Sequence, residues 1–496
     1  MTLVRFPLLT MRVLRAVLVA SLALALMACA GSHGLRSEGR LLAISGLQTG
    51  KTLAASRLSR ADWPATDWWR AFGDPQLDAL IEEGLHHSPS LATAVARLRQ
   101  AQAQAGAADA NRQPSVSVSV GYLGMQLPES MVGSRLGGKY TDSINAMLDF
   151  RYAPDLWGGK RAAWEAAVDQ AHAAQIDTQA ARLNLIDSIA QAYAQLAYIW
   201  ALQDVVDADL TRVQRTLHLT RQRRSAGIDS DVQLRQVQSR MLVAEQQRQV
   251  VQQQMSAARI ALAVLVGQGP DRGLQIQRPV LNVALALQLP SVLPADLLGH
   301  RPDVVAARWR VEAFSKSIDA AKAEFYPSVN LTVLGGLVNK DVGSLVKSAS
   351  ALGLVAPALS LPMFHGNTLR ANLADRDAQY DLAVADYNAK VLGALREVAD
   401  QVTVMRSLQQ QLQGQQRALH TAQVSVELEQ QRYHAGISSY LDVLNVQQQL
   451  LSVRQGLAQL QYQQVVASMK LRTALGGGFA SDVGRTTAVP SASSHF

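Results

Sequence analysis

The chain has 496 residues, a formal charge of +8, 5% aromatic residues and a single cysteine. One cysteine excludes an intrachain disulfide framework, and so few aromatics argue against thick globular cores and for long helices packed along narrow seams. Basic residues are interspersed with acids and glutamines, without the dense Lys/Arg stripe that a nucleic-acid surface needs.

Arg12 to Cys29 reads as basic residues, an apolar run and then small residues, the layout of a secretory signal. The run is too short for a convincing spanning helix. Its end, Leu26-Met27-Ala28-Cys29, resembles the bacterial lipoprotein box, in which cleavage leaves the cysteine as a lipidated N-terminus. Ala30 after it implies delivery to the outer membrane. The signal is expected over 1–28, with Met11 an alternative start; removing Arg5, Arg12 and Arg15 takes the charge from +8 to +5. A plain signal peptide with an incidental cysteine is the alternative. An extended N-terminal segment is expected over 29–75.

Beyond it the chain is written twice. SPSLATAVARLRQA (Ser88 to Ala101) faces RPDVVAARWRVEA (Arg301 to Ala313), PSVSVSV (Pro114 to Val120) faces PSVNLTV (Pro327 to Val333), and AGIDSDVQLRQVQ (Ala226 to Gln238) faces AGISSYLDVLNVQ (Ala435 to Gln447). Such self-similarity marks a tandem duplication. Repeat 1 is expected over 76–282, with a helix, a β-hairpin at 115–153 and a helical hairpin turning near Gly227. Repeat 2 is expected over 283–475, with a β-hairpin at 328–361 and a tip near Gly436. A flexible tail is expected over 476–496.

The strands alternate. Val116, Val118, Val120 and Tyr122 share one face, as do Ile144, Ala146, Leu148, Phe150 and Tyr152, and then Val329, Leu331 and Val333; the pattern is that of outer-membrane barrel strands. The return strand near Ala349 to Leu361 is blurred by Gly353 and Pro357. Four strands cannot close a barrel, and lipid does not tolerate open edges, so three copies giving twelve strands are expected. Pro114 and Pro327 open the first strand of each copy, and Pro154 and Pro362 follow the second. Proline biases the preceding residue away from helix, which makes all four candidate helix-to-barrel hinges.

Between Gly159 and Gly227 there is neither glycine nor proline; a continuous helix there would run roughly 100 Å. Its partner runs from Ile228 to Val266. Copy 2 repeats the plan from Gly366 to Gly436 and from Ile437 to Leu475, interrupted by Gly393, Gly414 and Gly456. Leu183, Ile186, Ile189, Tyr193, Leu196 and Ile199 fall at the spacing of a packing seam.

Catalytic signals are absent. GSRLGGKY (Gly133 to Tyr140) lacks the Ser or Thr of a phosphate loop and sits between two strands. His86 and His87 are adjacent and cannot face one metal as an i, i+4 pair would. No metal or cofactor is expected.

The blocks WWRAFGDPQLDALIEEGL (Trp68 to Leu85), ARIALAVLVGQGP (Ala258 to Pro270), LPADLLGHRPDVVAAR (Leu293 to Arg308), AKAEFYPSVNLTVLGG (Ala321 to Gly336) and RYHAGISSYLDVLNVQQQLL (Arg432 to Leu451) together resemble the outer-membrane efflux protein family, TolC-like and closest to its lipoprotein branch. The resemblance covers nearly the whole mature chain. It implies a mainly α protein with a transmembrane β-barrel: a homotrimer whose 12-stranded barrel joins an α-barrel crossing the periplasm. It implies a passive, non-enzymatic duct that meets a periplasmic adaptor (membrane fusion) protein and an inner-membrane pump, of resistance-nodulation-division type given the lipid anchor. Outer-membrane lipid is the remaining partner. The Trp68 block looks like the family's opening helix. The periplasmic gate maps onto Leu441, Asp442 and Asn445, the last standing where an acid is common. The tip residues Gly227, Asp229, Ser230 and Asp231, with Gly436, Ser438 and Ser439, are candidate adaptor contacts; helix capping explains the same residues. A protein-secretion duct and a lipid-anchored periplasmic scaffold are the alternatives, and the substrates are not encoded.

Overall fold

The computed structural model describes residues 34–43, 59–61, 63–126, 128–133, 138, 140–282, 288–290, 297–361 and 366–479. The expected signal, Cys29, Pro362 and residues 480–496 lie outside the described residues. The main strands are β1 (Ser115–Gln126), β2 (Tyr140–Tyr152), β3 (Ser328–Asn339) and β4 (Ala351–Ser360). The long helices are α1 (Pro75–His87), α2 (Pro89–Ala110), α3 (Gly159–Ser225), α4 (Asp231–Leu265), α5 (Pro302–Ala323), α6 (Gly366–His434) and α7 (Tyr440–Ala474). A short parallel pair joins Ser59–Ala61 to Gln288–Pro290. The described residues divide into two compact units: those within 34–41, 99–173 and 308–387, and those within 42–98, 174–307 and 388–479.

In the first unit β1 to β4 form one antiparallel sheet in chain order. Residues directly opposite one another in such a ladder share a face. The register sets Val116, Phe150, Val333 and Val355 in one row, and Val120, Ala146, Leu337 and Ala351 in another. One face is therefore apolar across both copies. The other carries Ser115, Ser117, Ser119, Asn145, Asp149, Arg151 and Thr332, with Leu334, Leu352 and Leu354 among them. On the apolar face the row of Tyr122, Ile144 and Asn339 is followed by Gly124 opposite Asp142. From Tyr152 back to Ile144 the band spans roughly 26 Å along β2 before tilt, given about 3.3 Å per residue, close to the ~25 Å apolar band of outer-membrane barrels. β4 continues through Gly353 and Pro357, which stay in register opposite Gly335 and Leu331 of β3.

The second unit is a helical seam. Ile186, Ile189, Tyr193, Leu196 and Ile199 of α3 are all but inaccessible and pack with Trp68, Phe72, Leu77, Leu80 and Ile81, with Leu262 and Val266, and with Met469. Each such side chain contributes about 1.5–3 kcal/mol relative to its exposed state. The Tyr193 hydroxyl donates to Asp74 Oδ2 at 2.6 Å, and that carboxylate also accepts from the backbone N–H groups of Gln76 and Val280.

Three expectations need correction. The stretch from Trp68 to Leu85 is not one helix: a 3₁₀ turn (Trp68–Phe72) ends at Gly73, whose φ is 72°, and Asp74 then caps α1. Gly393, Gly414 and Gly456 do not interrupt their helices; at Gly456 the missing Cβ makes room for Gln415, which donates to the Val453 carbonyl at 2.8 Å. The tail does not loosen at 476. Gly476 and Gly477 are buried, and His300 Nδ1 lies 3.0 Å from the Phe479 carbonyl oxygen.

The duplication extends to details that the repeats did not display. α1 and α2 part at Ser88 before Pro89, as the short helix Leu297–His300 and α5 part at Arg301 before Pro302. Gly267 after α4 and Gly476 after α7 both have positive φ, and they press against the carbonyls of His87 and His300 respectively.

Candidate functional site: helical tips and strand junctions

Both helical hairpins turn through the same device. Gly227 and Gly436 each adopt a φ of 74°, which a side chain rarely tolerates. The Ile228 N–H then donates to the Arg223 carbonyl at 2.8 Å, and the Ile437 N–H to that of Arg432 at 2.9 Å, closing the preceding helix. Ser230 opens α4 with a capping box to Gln233, and Ser439 opens α7 with one to Asp442.

The tips differ in charge. Asp229 folds back beneath its own turn, its side chain 4% exposed, and accepts from Arg223 Nε at 3.0 and 3.1 Å. The same guanidinium lies 5.2 Å over the ring of Tyr433 in the second hairpin. Asp231 pairs with Arg224 at 2.6 Å, out in solvent. Ser438 holds the place of Asp229 in copy 2, and its buried hydroxyl has no partner among the described residues. Tyr440 and Val443 of the second tip pack with Leu217, Leu234 and Val237 of the first, and the rings of Tyr433 and Tyr440 lie 5.5 Å apart. Burial, first, raises the Tyr440 hydroxyl pKa above the ordinary phenol value. The two hairpins thus meet through an apolar contact capped by one cation–π pair.

The expected gate residues come together. Leu441, Asp442 and Asn445 are exposed on one side of α7, while Tyr440, Val443 and Gln447 are buried on the other. Asp442 is already engaged: its Oδ2 accepts from the Ser439 N–H at 3.0 Å and from the Ser439 hydroxyl at 2.7 Å. The Ser439 hydroxyl, then its backbone N–H, holds the Asp442 carboxyl below the usual range. Capping and a gating charge are compatible, because the carboxylate remains ionised and exposed.

Sequence reading missed a second contact above the tips. Asp209 of α3, its side chain 8% exposed, sits between Arg212 at 2.6 Å and Arg240 of α4 at 3.0 Å. Arg212 also donates to the buried Gln447 of α7. The i, i+3 spacing of Asp209 and Arg212 was visible, but nothing in the sequence set Gln447 opposite them.

At the strand junctions, Pro114 and Pro327 each stand immediately before a strand, β1 and β3. Pro154 lies between the end of β2 and the start of α3. Asp155 receives the N–H groups of Lys160 and Arg161 at 3.1 and 2.7 Å, capping α3, and Trp157 Nε1 donates to the Pro327 carbonyl at 2.7 Å while its ring stacks on Tyr326. The exit from the copy 1 hairpin is thus bonded to the entrance of the copy 2 hairpin.

Comparison with known proteins agrees with this architecture. The family profile described as "Outer membrane efflux protein" matches twice, over residues 80–268 and 293–477. The chain is 35% identical over 367 residues to the fusaric acid resistance protein FusA of Burkholderia cepacia, covering 73% of this chain and 69% of that protein. It is 30% identical over 432 residues to the multidrug resistance outer membrane protein MdtP of Escherichia coli K12, covering 85% and 88%. The crystal structure of the outer membrane protein VceC of Vibrio cholerae superposes with a TM-score of 0.78 at 36% identity, over 84% of this chain and all of that one. Two successive matches to one profile, on a fold duplicated in the same way, make this chain a member of the outer membrane efflux protein family.

Proposed function

We propose that three copies of the chain form a passive, non-enzymatic exit duct that carries drugs or small organic solutes out of the cell. The sheet carries this reading. Its apolar face is continuous across four strands, and among the described residues β1 and β4 each pair on one side only. An unpaired strand edge in lipid leaves N–H and C=O groups unsatisfied, at several kcal/mol each. Pairing β1 of one copy with β4 of the next removes every edge, and three copies give the even strand number of an outer-membrane barrel. The names of FusA and MdtP, tied to fusaric acid and multidrug resistance, support small-molecule cargo over secreted protein.

In this reading Cys29 carries the lipid anchor, and Pro114, Pro154, Pro327 and Pro362 are the corners where helix becomes barrel. Leu441, Asp442 and Asn445 form rings at the periplasmic constriction. Gly227, Asp229, Ser230 and Asp231, with Gly436, Ser438 and Ser439, present the tips to a periplasmic adaptor, which links the duct to an inner-membrane pump of resistance-nodulation-division type. Carboxylate rings favour cations, and apolar rings gate by dewetting. The test is crosslinking of purified, detergent-solubilised protein with a bifunctional reagent joining cysteines placed in β1 and β4. A ladder ending at three chains is expected; one ending at two, or a single chain that still spans vesicles, overturns the assembly.

A further inference from the structure

The connection from β3 to β4 covers residues 340–350. It folds into two 3₁₀ turns, Val342–Ser344 and Ser348–Ser350. Asp341 caps the first, accepting from the Gly343 N–H at 3.4 Å, and Asn339 Oδ1 accepts from the Asp341 N–H at 3.2 Å. Asn339 Nδ2 donates to the Ser344 carbonyl at 3.2 Å and to Ser350 Oγ at 2.7 Å, and Ser350, 3% exposed, passes a hydrogen bond on to the Ser344 carbonyl at 2.9 Å. Asn339, Asp341 and Ser350 together hold the loop's fold, with Asn339 bonded to both of its ends.

Asn339 also sets the side of the sheet to which the loop is tied. Asn339 is directly opposite Ile144, which is opposite Tyr122, so all three project from the apolar face. Its bonds to the Asn339 side chain tie the loop to the apolar side of the sheet. Its level is defined too. The row of Tyr122, Ile144 and Asn339 is the last before Asp142, and Tyr122 and Tyr140 are each 63% exposed there with their hydroxyls 3.3 Å apart. Tyrosines at the limit of an apolar band mark a membrane–water interface. At this level the loop exposes Val342 at 67% and Val346 at 85%, flanked by the exposed Lys340 and Lys347.

Resting on the barrel reading above, we propose that this loop is a lipid-facing lip that seats on the outer leaflet: Val342 and Val346 dip into the acyl boundary, and Lys340 and Lys347 meet phosphate-bearing headgroups. The occupant is lipid because the loop continues the apolar face outward. Loops from three copies meeting at the channel axis would need to hang from the opposite face. Two lysines beside two apolar side chains form the pairing by which peripheral segments hold anionic membrane surfaces, each cation adding about 1 kcal/mol near such a surface. The loop consequently steadies the barrel's outer rim and leaves the lumen clear.

The experiment places a nitroxide on Val346→Cys in the full-length protein, reconstituted in phosphatidylcholine vesicles with or without lipid A. Leu148→Cys in mid-β2 serves as the lipid reference and Val232→Cys at a helical tip as the water reference, with the unsubstituted chain giving the background from Cys29. Collisions with oxygen and with a water-soluble nickel chelate are compared. The Val346 label is expected to show an oxygen-to-nickel ratio several-fold above that of Val232, higher with lipid A than without. The ratio should fall towards the Val232 value when Lys340→Gln and Lys347→Gln are added. A water-like Val346 label beside a lipid-like Leu148 label overturns the lip and leaves the barrel intact. Spin–spin broadening at Val346 that vanishes on dilution with unlabelled chains places the loops at the axis and also overturns it. Indifference to the lysine substitutions removes the headgroup contact, and a water-like Leu148 label defeats the barrel reading and the lip with it.

Discussion

Asp442 performs two tasks that substitution can separate. Ser439→Ala removes the cap and keeps the carboxylate, whereas Asp442→Asn keeps a side-chain acceptor near Ser439 and removes the charge. If the exposed carboxylate acts as a ring, single-channel recordings in planar bilayers will show cation selectivity lost in Asp442→Asn and retained in Ser439→Ala; equal behaviour would mean that capping is all Asp442 does. A different acid contributes to pH dependence within the helical unit. Burial, first, lifts the Asp187 carboxyl above the ordinary aspartate value of 3.8, against hydrogen bonds from Thr473 and Gln191. A raised carboxyl pKa means that the folded state holds the proton longer. Its stabilisation is complete below the unfolded value and is lost as pH rises through the folded one. Asp187→Asn should therefore raise the thermal midpoint at neutral pH and flatten its decline above pH 4, as scanning calorimetry across that range can check. Capping boxes at Ser230 and Ser439 were legible as Ser followed three residues later by Gln or Asp. The ties from Asp187 to Thr473 and from Arg212 to Gln447 were not, because they join residues far apart in the chain.

Helices that look alike in sequence are fastened differently. The first hairpin is laced across its two arms by carboxylate–guanidinium pairs: Asp209 with Arg240 at 3.0 Å, Asp207 with Arg248 at 3.1 Å and, at the turn, Arg224 with Asp231 at 2.6 Å. The second hairpin is joined by Gln415 reaching the Val453 carbonyl and by the apolar cluster of Met405, Leu408 and Ala467. Two of these pairs, Asp207–Arg248 and Arg224–Asp231, are exposed; such pairs contribute about 0–1 kcal/mol each and are screened by salt, whereas apolar contacts are strengthened by excluded salts. Amide hydrogen exchange should thus show protection in α3 and α4 falling between low and high sodium chloride, while α6 and α7 stay constant or gain. A uniform response in the two hairpins would remove the distinction. The proline-free runs foretold all four long helices to within a few residues, through Gly393, Gly414 and Gly456 in the second copy. Within the Trp68 to Leu85 block the expected boundary at 75/76 matches the start of α1, whereas the 3₁₀ turn and the positive φ of Gly73 before it went unread.

For the whole molecule, the two sheet faces make opposite demands. Leu148→Arg in β2 puts a cation on the apolar face and should cost about 2–4 kcal/mol near mid-membrane. Asn145→Arg, three residues away on the polar face, should cost little. Outer-membrane yield and heat resistance of the oligomer on gels would compare them, and equal losses would mean that the apolar face is not the lipid face. Alternation, duplication, proline-free helices and glycine tips were all determined by sequence alone, since each depends on neighbours within a few residues or on a repeat that can be aligned by eye. Register was decided only by the tertiary structure. Pairing β2 of one copy with β3 of the other merges two half-apolar hairpins into one continuous face and points Asn339 outward. A one-residue slip would reverse every side chain, and no local pattern specifies which residues of distant strands will lie opposite each other.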